Sequence, residues 1–197
     1  MQRSWREDAD KLTFIICRPE TSSSATKISI ARGAETDPTE DMVGDINLFL
    51  RVDDGDEGDV PPQIVGEIEL MIAEKRNQHR GFGKAALLVF MKYITEHQGR
   101  LLAEFVAGIL DASTADKLRN SHLPSFELSC LSVKIGRTNH RSLALFEWAG
   151  FRKVSAEPNF FGEFELRRTE LSCKSIDEAL AGAGIEEYVE MPYKHAE

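Results

Sequence analysis

The sequence predicts a mixed α/β domain, a central sheet flanked by helices, on three observations. Residues 64–73 alternate in polarity as a half-buried strand does, and from residue 84 to 97 the apolar period changes to that of a helix. Between them lies a polar, glycine-bearing turn, Gln78-His79-Arg80-Gly81-Phe82-Gly83. At 197 residues the chain has the length of one domain, enough to bury ~70% of the surface its unfolded form exposes.

In chain order, residues 12–17 read as a short buried strand and the Ser/Thr-rich stretch 20–40 as a loop with a weak hairpin at 27–31. A strand is expected over 42–52. The acidic run 53–59 reads as a hairpin loop and not a calcium site, because the twelfth residue counted from Asp53 or Asp54 is Ile64 or Val65, not glutamate. In the strand 64–73, Ile64, Gly66, Ile68, Leu70 and Ile72 share one face; Val65, Glu67, Glu69, Met71 and Ala73 share the other. The two carboxylates therefore point the same way. The following helix places Leu87, Leu88, Met91 and Ile94 on one stripe, and Gly99 is expected to end it as a left-handed cap.

Residues 100–124 lose this periodicity and are broken by Asp111-Ala-Ser and Asn120-Ser-His, which predicts a poorly packed insertion over about 104–124 with one or two short helices. Strands are expected at 126–135 and 160–168. After residue 171 a short helix begun by the capping box Ser175-x-x-Glu178 and stopped by Gly182-Ala-Gly184 would lead into a tail. The organisation is thus one domain over 1–170 and a C-terminal tail over 171–197.

The turn at 78–83 suits a diphosphate: glycines let the backbone approach closely, and a helix start presents free N–H groups and about half a positive charge, with Arg76, Arg80 and Lys84 nearby. Three phosphate-loop patterns compete for it. A Walker loop fails, since only Phe82 separates Gly81 from Gly83-Lys84 and Ala85 stands where a hydroxyl residue would hold magnesium. The dinucleotide fingerprint matches as Gly81-x-Gly83-x-x-Ala86, but its first glycine belongs directly after the strand, and residues 74–80 intervene. The pattern Gln/Arg-x-x-Gly-x-Gly/Ala is met at every fixed position by Gln78 to Gly83. It resembles the acetyl-CoA signature of the GNAT N-acetyltransferase superfamily.

A second stretch, Asn139-His-Arg-Ser-Leu-Ala-Leu-Phe-Glu-Trp-Ala-Gly-Phe151, is similar to the helix and "GF" strand that close the acyl-CoA cleft in that superfamily. Met1 to Ile15, Met42 to Leu50 and Gly66 to Glu74 resemble the N-acetyltransferase 9 family, also described as alpha/beta-tubulin N-acetyltransferases. The similarity spans residues 1–168. Family members carry a first strand and two helices ahead of the segment matching 4–11, so the resemblance implies a GNAT-like fold without them.

The resemblance implies acetyl-CoA as co-substrate and a protein amine as acceptor, with alpha/beta-tubulin the named candidate. Gln78, His79, Arg80, Gly81, Phe82, Gly83 and Lys84 would hold the diphosphate, Asn139 and Phe146 would close the cleft, and N–H groups of Met71 and Ile72 would polarise the thioester carbonyl. Because a free amine is mostly protonated near neutrality, a carboxylate base is needed, and Glu67 and Glu69 are the candidates. The alternative for both is a solvated strand face. Many superfamily members have tyrosine where this chain has Phe146, which cannot donate a proton to the departing thiolate; Ser142 is the substitute at hand. Two other readings are a catalytically poor CoA-binding regulatory or microtubule-associated module, and a nicotinamide-dependent oxidoreductase built on the Gly81-x-Gly83-x-x-Ala86 match.

A formal net charge of −9 argues against general nucleic-acid binding, whose affinity comes from cations on phosphates. Cys17, Cys130 and Cys173 are odd in number and widely spaced, which indicates reduced thiols rather than a disulfide framework or a zinc site, and no metal is expected. The sequence has no 18-residue apolar run, no leader-like start and no lipidation signature, so no membrane is expected and the cytoplasm, or the nucleus, is the expected compartment.

Overall fold

A computed structural model of the chain describes residues 8–18, 41–53, 62–108, 127–185 and 187–190. The loop and hairpin expected within 20–40, the acidic loop beyond Asp53 and most of the 104–124 insertion lie outside the described residues. Six strands, β1 (Lys11–Cys17), β2 (Met42–Asp53), β3 (Gln63–Ile72), β4 (Leu128–Gly136), β5 (Arg152–Lys153) and β6 (Glu163–Arg168), form one sheet in the order β1-β2-β3-β4-β6-β5. Among the described residues only β3 and β4 pair in parallel. Parallel neighbours need a crossover, and α1 (Phe82–Gly108) lies in that connection. Helices α2 (His140–Trp148) and α3 (Cys173–Gly182) complete the mixed α/β architecture.

Helix α1 buries the expected Leu87, Leu88, Met91 and Ile94, together with Phe90, against the sheet. It does not stop at Gly99. Leu102, Phe105 and Val106 are also buried, so the apolar stripe continues past the glycine to Gly108. A mid-helix glycine costs only ~1 kcal/mol, less than the burial of those three side chains returns. The first part of the expected insertion is therefore helix. Two further expectations change: Phe160 and Phe161 precede β6 in an exposed turn, where Asn159 Oδ1 accepts from the Phe161 and Glu163 N–H groups. And α3 is capped by Ser172, whose hydroxyl accepts from the Ser175 N–H at 3.3 Å, three residues before the expected cap.

Helix α3 buries Ile176 and Leu180 in the common core, so the segment after 171 contributes packing and not only a tail. Arg168, which sequence reasoning passed over, ties this region together: its buried guanidinium donates to the carbonyls of Ala149 and Glu170 and to Ser175 Oγ. Burial lowers its pKa, as desolvation disfavours the charged form. On α1, Lys92 reaches Glu96 at 2.9 Å and Asp177 of α3 at 2.7 Å, and those two carboxylates raise its pKa.

At the β1 edge of the sheet the strand expected to be buried is largely open: Phe14 and Ile15 are exposed, as is Met42 at the start of β2, because among the described residues β1 has a sheet neighbour on one side only. Phe14, Ile15, Phe82, Val89, Phe90 and Tyr93 line a groove of about 1050 Å³ between β1 and α1, with Tyr188 and Val189 along one wall. Among the described residues no helix is long and apolar enough to cross a membrane.

Candidate active site

The site begins where β3 and β4 part. Their parallel pairing runs from Ile64 with Leu128 to Glu67 with Ser132 and ends there, while β3 stays paired with β2 to Ile72 and β4 with β6 to Gly136. The Ala73 N–H donates to Val43 O at 2.9 Å, and backbone directions alternate along a strand. Glu69 and Met71 therefore turn their amides to β2, whereas Leu70 and Ile72 turn theirs into the opening. Of the two amides expected to polarise a carbonyl, that of Ile72 faces the cleft and that of Met71 does not. At the cleft's far end β2 comes so close that a Cβ on Gly44 would stand 1.9 Å from the Met71 carbonyl oxygen, a position only glycine can occupy.

A cavity of about 330 Å³ fills the opening, bounded by Glu67, Glu69, Leu70, Lys134, Asn139, Ser142, Phe146 and Glu163 among others. The structure thus brings both candidate bases, the candidate proton donor and both cleft-closing residues of α2 to one place. The carboxylates differ. Glu67 is held by Lys134 Nζ of β4 at 2.8 Å, while Glu69 is exposed and has no ion pair among the described residues. Phe146 is buried edge-on against Phe151, with ring centroids 5.1 Å apart, and brings only its apolar ring to the cavity. Asn139 caps α2, its Oδ1 accepting from the Ser142 N–H at 3.2 Å, which fixes Ser142 at the cavity wall.

Beyond Ile72 a 3-10 turn (Lys75–Asn77) leads into the glycine turn. Its presence keeps Gly81 away from the strand end, so the dinucleotide arrangement with glycine directly after the strand is not formed. Gln78 Nε2 donates back to the Ile72 carbonyl at 3.0 Å, pinning the turn to the end of β3. His79 (φ 61°) and Gly81 (φ 89°) are left-handed, which reverses the chain sharply ahead of α1. Gly83 packs against Leu70 and Leu145: a Cβ there would lie 3.7 Å from each side chain. Leu70 also lines the cavity, so cleft and turn are continuous.

Gly81 has no side chain to cap α1, and among the described residues no other side chain accepts from the amides of Phe82, Gly83 or Lys84. Around them, Lys84 Nζ lies 3.8 Å from the centre of the Trp148 ring, the Arg80 guanidinium 5.6 Å from that of Phe82, and Arg141 donates to His79 Nε2 at 2.5 Å. Free amides and cations at a helix start suit an anion. Lys134, Arg141, Trp148 and Glu163 escaped the sequence reading. The signal for two of them was available, since Arg141, Leu145 and Trp148 fall at i, i+4 and i+7 of one helix.

No family model matches the chain. It is 33% identical to an "N-acetyltransferase 9-like protein" of Schizosaccharomyces pombe, over 86% of this chain and 76% of that protein. To the "Alpha/beta-tubulin-N-acetyltransferase 9" of Drosophila melanogaster it is 44% identical over 75% of this chain and 53% of the relative, and to that of Homo sapiens 33% over 86% and 60%. The chain therefore spans only a little over half the length of these two relatives. Among solved structures it is similar to Arabidopsis thaliana NAA60 in complex with acetyl-CoA, at a TM-score of 0.45 and 13% identity over 83% of this chain and 78% of that one. The identity and coverage shared with the yeast relative settle the grouping: this chain belongs to the N-acetyltransferase 9-like family.

Proposed function

We propose that this chain binds acetyl-CoA and transfers its acetyl group to an amine of a protein acceptor, for which the names of the fly and human relatives suggest tubulin. The observation that carries the reading is the parting of two parallel strands beside an uncapped helix start: an extended pantetheine arm fits between β3 and β4 while its diphosphate meets the first amides of α1. The Ile72 amide would polarise the thioester carbonyl. Glu69 is the better base, because Glu67 is already engaged by Lys134. Glu69, or a water on it, first takes the ammonium proton to free the amine; the amine then attacks, the new C–N bond forms and the C–S bond breaks, the nitrogen gives its second proton to water, and the thiolate takes a proton from water directly or relayed through Ser142.

Phe146 favours a second reading, a CoA-binding module that transfers slowly, since its ring offers the thiolate no proton. Titration with acetyl-CoA and with NADH, followed by mass-spectrometric detection of acetyl transfer to a tubulin N-terminal peptide, separates the possibilities. Binding of acetyl-CoA with transfer supports the enzyme, binding without transfer supports the module, and binding of NADH alone would overturn both.

A further inference from the structure

The cations around the glycine turn are partnered in an unusual way for so acidic a chain. Asp and Glu number 33 against 24 Lys and Arg, yet Arg80, Lys84 and Arg141 have no ion pair with a carboxylate among the described residues. Lys84 rests on the Trp148 ring, Arg80 on the Phe82 ring, and Arg141 on the lone pair of a histidine nitrogen. Arg141 differs from the other two in coming from α2, on the opposite wall of the cleft. One stripe of that helix follows the turn stepwise: Arg141 meets His79, Leu145 meets Gly83, and Trp148 meets Lys84.

We propose that Arg141 is a phosphate ligand supplied by α2, which leaves the His79 ring nitrogen to bind the diphosphate of acetyl-CoA when that group settles on the first amides of α1. This rests on the acetyl-CoA reading above. A neutral imidazole nitrogen accepts one hydrogen bond and carries no charge, whereas a diphosphate offers charged oxygens in a geometry that matches the guanidinium fork. The exchange therefore favours the ligand, and it lets the α2 wall, already on the turn, hold the bound arm from the other side. Arg141 is exposed on the first turn of a helix already capped by Asn139, so its substitution leaves the fold intact.

The test is calorimetric titration of the full chain and of Arg141→Gln and Arg141→Lys with acetyl-CoA and with acetyl-dephospho-CoA. The expected result is an unchanged melting temperature without ligand, a roughly ten- to hundredfold weaker Kd in Arg141→Gln for both ligands, and partial recovery in Arg141→Lys, as the loss of a charge-assisted bond predicts. A loss confined to acetyl-CoA would assign Arg141 to the ribose phosphate and overturn the proposal. Wild-type affinity in Arg141→Gln, with binding abolished in Gly81→Glu, would overturn it while leaving the acetyl-CoA reading standing. Absence of binding by the unaltered chain would remove both.

Discussion

Helices α2 and α3 start on side-chain caps, while α1, the longest, starts on a glycine. Asn139 satisfies the Ser142 amide and Ser172 the Ser175 amide, each at the price of filling the space in front of the helix. Gly81 fills nothing and holds a left-handed φ of 89° that other residues adopt poorly. An N-cap is worth about 1 kcal/mol, so an uncapped start on a helix that anchors the core forgoes stability the chain takes elsewhere. The difference teaches that a helix start can be read for purpose: the start of α2 is capped although it also lines the cavity, whereas α1 keeps its first amides free beside three cations that have no carboxylate partner among the described residues.

The comparison predicts a separation of binding, chemistry and stability. The largest effect belongs to chemistry inside the cleft. Glu69→Gln is expected to lower kcat by about 10²- to 10⁴-fold at neutral pH with acetyl-CoA affinity nearly unchanged, and Glu67→Gln to lower it less; full activity in the double variant would show that the acceptor's proton leaves by another route. Next comes binding at the open start. Acetyl-CoA at a hundred times its Kd adds about 2.7 kcal/mol, a rise in Tm of roughly 5 to 10 °C for a domain of this size. Gly81→Glu, which puts a like charge and a disfavoured φ at the turn, is expected to abolish that rise, and a normal thermal shift would show that the diphosphate lies elsewhere. The smallest effect is at a capped start: Ser172→Ala is expected to lower Tm by about 2 to 4 °C while leaving the ligand-induced rise intact. A loss of the rise in Ser172→Ala would mean that α3 and the cleft are coupled.

The cleft was largely legible in the sequence because its parts are local: alternation exposes a strand, a period of 3.6 exposes a helix, and glycines at fixed spacing expose the turn between them. Where α1 ends was not legible. Gly99 carries the signature of a cap, and only the packing of Leu102, Phe105 and Val106 overrides it. The cap of α3 slipped by a turn because Ser172 and Ser175 are equally good candidates on composition. Phe160 and Phe161 pass for strand residues until Asn159 draws the backbone into a turn. Lys134 and Arg141 are ordinary surface cations in one dimension, and their partners Glu67 and His79 stand far away in the chain. Pairing across elements is what a single sequence conceals.

The buried arginine that ends β6 has a bearing on where this polypeptide can be cut. Arg168 takes acceptors from the end of α2, from its own connection and from α3, so removing α3 would leave a desolvated cation with one partner lost and would uncover the seats of Ile176 and Leu180. A shortened version ending near residue 170 should misfold or aggregate on expression, and a protease should find α3 resistant as long as α1, on which it packs, remains folded. Trimming from the C-terminal side should therefore spare the segment up to Glu190, because Ile185 packs against the core and Glu190 pairs with His97 of α1 at 2.8 Å.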